Sequence, residues 1–253
     1  MSFATPVLDE RELAVLEQIE ALKRQLRYYL REPRRWSGPL RRQTFARAVQ
    51  GSNSIEGYLA KLDDTAAIAE GSAPLDADEE TRLAIKGYSD AMTYVIQLAR
   101  HDDFTYSTQL IKAIHFMMTS YSLDNRPGDW RKGDIYVRGD HSGDVVYEGP
   151  DPGHVPALMN ELVAQLAADN GNGEPVVVRA AMAHLNLVMI HPFRDGNGRM
   201  ARCLQSLVLA REGVLSPIFM NVEEYLSRNT QSYYRVLAEV GQGSWHPDGE
   251  ART

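Results

Sequence analysis

The sequence predicts an all-α fold, a helical bundle that carries one β-hairpin, and three observations predict it. Apolar residues recur at steps of three and four through most of the chain, as in Leu13, Leu16, Ile19, Leu22, Leu26 and Leu30. One region alone breaks that pattern, where the β-prone runs Ile135–Arg138 and Asp144–Tyr147 flank a Gly/Asp-rich turn. No strand–helix–strand alternation of the kind that builds a parallel sheet is present.

The elements follow in order. Asp9 is placed to cap a long amphipathic helix running to Leu30. Its stripe has two outlets, packing within the monomer or pairing as a homodimer. Basic residues dominate from Lys23 to Arg47, where Glu32 is the one acid, a pattern of a solvated face or of a surface for an anionic partner. A second helical stretch covers roughly Leu40 to Ala69. The acidic segment Asp63–Glu80, with Gly71 and Pro74, is expected to be an exposed connector and the seam between subregions. N-terminal helices are therefore expected over 1–75, a core over 76–241 and a tail over 242–253. Within the core, helices are expected at Asp76–Arg100, Ser107–Tyr121, Val155–Ala168, Pro175–Ile190 and Gly198–Glu212, with Gly213 as terminator. A last stretch, Val222–Val240, is expected to break near Asn229.

Composition excludes several classes. The chain has 253 residues, 43% of them hydrophobic and 24% charged, which suits a folded, water-soluble body rather than a disordered or fibrous one. A formal net charge of -7 argues against a chain-wide embrace of nucleic acid. The one cysteine, Cys203, allows no internal disulfide, and no zinc-finger spacing occurs. No stretch approaches the ~20 apolar residues of a membrane span, and the N-terminus has no signal-peptide pattern. A cytoplasmic location is the expectation.

Chemistry concentrates in His191-Pro192-Phe193-Arg194-Asp195-Gly196-Asn197-Gly198-Arg199-Met200-Ala201-Arg202. Pro192 disfavours a helical His191, so the preceding helix is expected to stop there and leave the imidazole at an exposed junction, where a general base can work. Gly196 and Gly198 let the turn aim successive N–H groups into one concavity, an anion nest. The helix starting near Gly198 points its unpaired N–H groups and positive dipole end at the same spot. Arg199 and Arg202, three apart on one face, can clamp a polyphosphate with forked hydrogen bonds. Asp195 is the only carboxylate of the window, and phosphate-bound magnesium usually takes one or two. Gly196, Gly198 and Ala201 also fit G-x-G-x-x-A, but the residues before them read as helix, and a P-loop sequence is absent.

This window matches, at every fixed position, the H-P-F-x-D/E-G-N-G-R-x-x-R signature of Fic-domain (Fido) proteins, which the chain resembles beyond about Arg41. The resemblance implies a Fic-type helical bundle with the hairpin as a flap. It also implies an enzyme, a nucleotidyltransferase of the protein adenylyltransferase type, moving AMP from ATP onto a Ser, Thr or Tyr hydroxyl of a target protein or of itself. His191 would then take the hydroxyl proton, Asp195 would hold Mg2+, and Gly196, Asn197 and Gly198 would hold the α-phosphate. Arg199 and Arg202 would grip the β- and γ-phosphates, Phe193 would fix the loop, and Tyr233 would neighbour the base. Ile135, Tyr136, Val137 and Arg138 would dock an extended stretch of the target by strand addition.

Ser52-Asn53-Ser54-Ile55-Glu56-Gly57 fits the family's inhibitory pattern S/T-x-x-x-E-G/N, ahead of the catalytic motif as in class II members. The resemblance implies that Glu56 pairs with Arg202 and so denies the γ-phosphate its partner; on a helix, Ser52 and Glu56 share one face. Two alternatives stay open: removal of AMP, or transfer of another phosphate-containing group, on the same fold, and a non-catalytic interaction module using the basic stretch. Relatives commonly continue past a Trp-x-Pro segment like Trp245-His246-Pro247, so a shortened tail is expected here.

Overall fold

The computed structural model describes residues 2–29, 37–138, 144–168, 173–214 and 221–246. Ten α-helices dominate the described residues: α1 Glu10–Tyr29, α2 Ser37–Ile55, α3 Leu62–Ala69, α4 Glu79–Leu98, α5 Thr108–Thr119, α6 Val155–Ala167, α7 Val176–Ile190, α8 Asn197–Arg211, α9 Val222–Arg228 and α10 Thr230–Gly241. Strands β1 Tyr136–Arg138, β2 Val145–Glu148 and β3 Gly243–Ser244 form one small sheet in the order β1-β2-β3. The all-α expectation holds, with a hairpin and one unforeseen parallel strand.

Helix starts follow the capping residues. Asp9 and Glu12 form a reciprocal box, Glu12 N–H donating to Asp9 Oδ1 at 2.8 Å and Asp9 N–H to Glu12 Oε2 at 2.6 Å. Asp78 and Ser107 likewise accept from Thr81 N–H and Leu110 N–H to open α4 and α5. The expected break at Asn229 separates α9 from α10.

The core centres on α7 and α8, which pack against each other, with α4, α5 and α6 around them; Ile85, Tyr88, Ile114, Leu187, Ile190, Phe193 and Leu204 are wholly buried. Seating one such side chain contributes about 1.5–3 kcal/mol, so this cluster is what holds the α7–α8 junction rigid. A satellite cluster of Phe3, Tyr147, Met189 and Val240 ties the chain start, the hairpin and α10 to the end of α7.

Two expectations are corrected. Leu40–Ala69 is two helices, because α2 ends at Ile55 and Gly57 turns the chain at φ +89 before α3 begins. The acidic connector starts as helix, and its Asp64 is buried, accepting from Leu75 N–H at 2.6 Å. The α1 stripe, whose packing the sequence left open, is only partly covered: Leu13 is 49% and Leu22 57% exposed, while Leu16 and Ile19 are half-buried. The hairpin turn 139–143 and the segments 30–36 and 247–253 lie outside the described residues.

Candidate active site

α7 stops where Pro192 requires. His191 leaves the helix in the left-handed region at φ 51, and its N–H still reaches Leu187 O at 2.9 Å. The imidazole is half-buried rather than exposed as expected, because the hairpin base packs over the junction. Its Nδ1 lies 3.0 Å from Val188 O. A carbonyl only accepts, so Nδ1 carries the hydrogen and Nε2 keeps its lone pair. Nε2 makes no hydrogen bond among the described residues. Burial lowers the His191 pKa, so the ring is neutral near pH 7.

The loop from Phe193 to Gly196 is clasped from both sides. Phe193 is fully buried and stacks on His115 with ring centroids 3.6 Å apart. Asn197 Oδ1 accepts from Phe193 N–H at 2.8 Å, and its Nδ2 donates to Phe193 O at 2.9 Å. The Asn197 side chain thus braces the loop, and its Nδ2 keeps a second hydrogen beyond the one given to Phe193 O. His115 accepts at Nδ1 from Gly128 N–H and donates from Nε2 to Asp195 O, each at 2.9 Å. Burial lowers its pKa to about 4, which keeps it in that one tautomer.

Gly196 caps α8 at φ 74, and the first amides of α8 have no carbonyl of their own helix to bind. A Cβ on Gly198 would overlap Oε1 of Glu56 and stand 3.2 Å from Nη1 of Arg202. The carboxylate of Glu56 thus occupies the mouth of the nest that the sequence predicted.

Both arginines are 1% exposed, so they line the floor of the site rather than reaching out as a free clamp. Arg202 donates from Nε to Ser52 Oγ at 2.8 Å, and from Nη2 to Ser52 O at 2.9 Å and Glu56 Oε1 at 2.6 Å. Arg199 lies 4.9 Å above the Tyr58 ring, donates to the Tyr121 hydroxyl at 3.3 Å and stands 3.7 Å from Asp195. Arg202 Nη1 and Arg199 Nε are buried with no hydrogen-bond partner among the described residues. Burial alone would raise the Glu56 pKa, but the Arg202 guanidinium overcomes it and holds the carboxyl below its usual range.

Asp195 is 43% exposed at its side chain and accepts from Asn125 Nδ2 at 3.2 Å. Tyr233 donates to or accepts from His184 Nε2 at 2.9 Å and lies near Arg202, with burial raising its pKa. Ser52 is buried at the end of α2, and Gly57 lies just past it. β1 contains Tyr136, Val137 and Arg138, with Ile135 beside it; β2 lies between β1 and β3, so β1 is the outer strand. Sequence reasoning missed His115, Tyr58, Tyr121, Asn125 and Arg131. Only the Trp130-Arg131 pair before the hairpin carried a signal, an aromatic and a cation in an otherwise loop-like segment.

The helices thus bring an imidazole, a half-exposed carboxylate and two buried guanidiniums to one helix N-terminus. Residues 105–209 match the Fic/DOC family, so the chain carries a Fic domain over that stretch. It is similar to the protein adenylyltransferase Fic of Drosophila yakuba, 30% identical over 245 residues, 95% of this chain and 45% of that protein. It is likewise similar to the same-named protein of Aedes aegypti, 29% identical over 208 residues, 81% of this chain and 39% of that one. The chain thus spans less than half the length of these relatives. Among solved structures, a Fic family protein from Desulfovibrio desulfuricans G20 shares the fold, with a TM-score of 0.78 at 24% identity over 98% of this chain and 71% of that one. A Fic domain containing signaling protein from Bacteroides thetaiotaomicron does too, with a TM-score of 0.73 at 21% identity over 94% and 86%.

Proposed function

We propose that this chain transfers AMP from ATP to a hydroxyl side chain of a protein, and that Glu56 holds it in check. The observation that carries the reading is the pairing of an imidazole with an open Nε2 and a helix N-terminus over two buried arginines, each with an N–H group that has no partner among the described residues. The similarity to proteins named protein adenylyltransferase supports it.

In this reading the hydroxyl of a Ser, Thr or Tyr lies against His191 Nε2, which takes its proton as the oxygen attacks the α-phosphorus. The new O–P bond replaces the bond to the β-phosphate oxygen, and pyrophosphate leaves. A positioned base contributes about 10²- to 10⁴-fold. The nest amides at Gly196–Gly198 hold phosphate oxygens where negative charge grows, and Arg199 and Arg202 hold the outer phosphates. Asn197 and His115 keep the loop in shape for this. The β1 edge offers its backbone to an extended stretch of the target.

Among the described residues no three metal-ligating side chains cluster. A single, half-exposed Asp195 suits Mg2+ that arrives with the nucleotide and keeps waters and phosphates as its other ligands. There the ion would neutralise phosphate charge. Among the described residues no helix is long and apolar enough to cross a membrane, and we place the reaction in the cytoplasm, where buried, free Cys203 stays reduced.

Incubation with α-labelled and, separately, γ-labelled ATP tests the reading. Label from the α-position alone must become covalently attached to protein. Label from the γ-position would mean phosphoryl transfer instead, and AMP release from pre-modified protein would mean removal.

A further inference from the structure

We infer that Arg131 is a positioning residue that locks the hairpin base to the His191 junction, so that the edge strand and the imidazole keep one fixed register. The inference rests on the adenylyl-transfer reading for its purpose, though its geometry stands alone.

Arg131 precedes β1 and is 7% exposed. Its Nε donates to His191 O at 2.8 Å and its Nη2 to Ile190 O at 3.5 Å, while its backbone N–H donates to Pro192 O at 2.8 Å. Three consecutive carbonyls of the α7 exit are held by one residue. On the other side, Nη1 donates to Gly133 O at 2.9 Å and Nη2 to Pro150 O, just outside the two hairpin strands. Gly149, beside Pro150, is packed so closely that a Cβ there would come 2.7 Å from Ile135 Cγ2 and 3.3 Å from Arg131 Nη2. Hairpin base and α7 exit are therefore two faces of one guanidinium.

Stability alone does not call for this arrangement. Among the described residues no carboxylate lies within salt-bridge distance of Arg131, Asp134 and Asp151 act on it only from farther off, and a buried cation hydrogen-bonded to neutral carbonyls alone is a poor way to gain folding energy. What the fork does supply is direction. His191 sits in the left-handed region, which a residue with a Cβ occupies at a cost of about 1–2 kcal/mol, and that conformation sets the ring over Val188 O. Holding Ile190 O and His191 O ties both peptide planes that flank His191, and holding Pro192 O ties the next one. A lysine carries one compact donor group and cannot span four side-chain contacts in fixed planar geometry.

The test uses the full chain with Glu56→Gly as parent, compared with Arg131→Lys and Arg131→Ala in that background. If Arg131→Ala fails to fold, Arg131→Lys, which keeps the charge, carries the test. Nitrogen-15 spectra of the imidazoles report the tautomers directly. Expected is a His191 ring protonated at Nδ1 in the parent that becomes a mixture in the variants, with His115 unchanged as internal control. Self-labelling from α-labelled ATP at saturating nucleotide is expected to fall roughly ten- to a hundredfold, the scale of a 1 Å misplacement, while calorimetric affinity for ATP stays within about twofold. An unchanged His191 tautomer overturns the inference. So does unimpaired labelling, or an ATP affinity that falls in step with labelling. Should the parent itself fail to label, the functional reading falls, and the tautomer alone decides the role of Arg131.

Discussion

Oε1 of Glu56 stands 2.6 Å from Nη2 of Arg202, at the N-terminus of α8, where a Cβ on Gly198 would overlap it. In the proposed reading, this carboxylate from the end of α2 fills the place that a phosphate oxygen would need. Arg202 is 1% and Glu56 25% exposed at the side chain, so the pair is sheltered enough for its charge-assisted bond to count.

Removing that carboxylate should release the site. A hydrogen bond to a charged group is worth about 1.5–3 kcal/mol net, which corresponds to roughly ten- to a hundredfold. Glu56→Gly is predicted to raise labelling from α-labelled ATP by that factor, read as initial rate on the purified protein. Equal rates before and after would mean that the pair does not restrain the reaction.

Gly198 is predicted to be irreplaceable even without the brake. In the Glu56→Gly background, Gly198→Ala puts a methyl 3.2 Å from Arg202 Nη1, in the space left by the carboxylate. Calorimetric affinity for ATP is expected to drop about tenfold or more. Retained affinity would show that phosphates do not enter over this turn.

Asn197→Ala strips two buried backbone groups of Phe193 of their partners. At about 1–3 kcal/mol for each unsatisfied group, a loss of roughly 2–6 kcal/mol is expected. Chemical denaturation measures it; a change under about 0.5 kcal/mol would mean that the loop is held by Phe193 packing alone.

Acid should silence the enzyme without first releasing it. His191 has its pKa lowered by burial, so Glu56→Gly activity is expected to persist below the ordinary histidine value of about 6.5 and to fall as pH drops through the lowered value. The Glu56 pKa is also lowered. Its contribution is full above the unfolded carboxyl value and is lost only as pH falls through the still lower folded one. Lowering pH from 7 to about 5.5 is therefore expected not to activate the unmodified chain, whose labelling against pH checks this.

The sequence made most of the helices and the loop legible because their signals are local. Asp9, Asp78 and Ser107 cap where their side chains allow, Pro192 ends α7, and Gly196 and Gly198 mark the turn before α8. Long-range partnerships were hidden. The bracing of Phe193 by the Asn197 amide is visible only once the loop closes. Arg131 lies sixty residues before the carbonyl it holds, and no periodicity links such positions. β3 is two residues long and pairs with β2 from far along the chain, too short for any pattern to register. Leu13 and Leu22 marked α1 by spacing, but spacing does not say what a stripe packs against, and here these two are exposed while Leu16 and Ile19 are half-buried.

The most direct measurement of the central claim is covalent labelling from α-labelled ATP by three purified proteins side by side: the unmodified chain, Glu56→Gly, and Glu56→Gly combined with His191→Ala. Weak labelling, strong labelling and none, in that order, is the predicted result. Strong labelling by the third protein, or none by the second while it binds ATP, would contradict the assignment of His191 as the base and of Glu56 as its restraint.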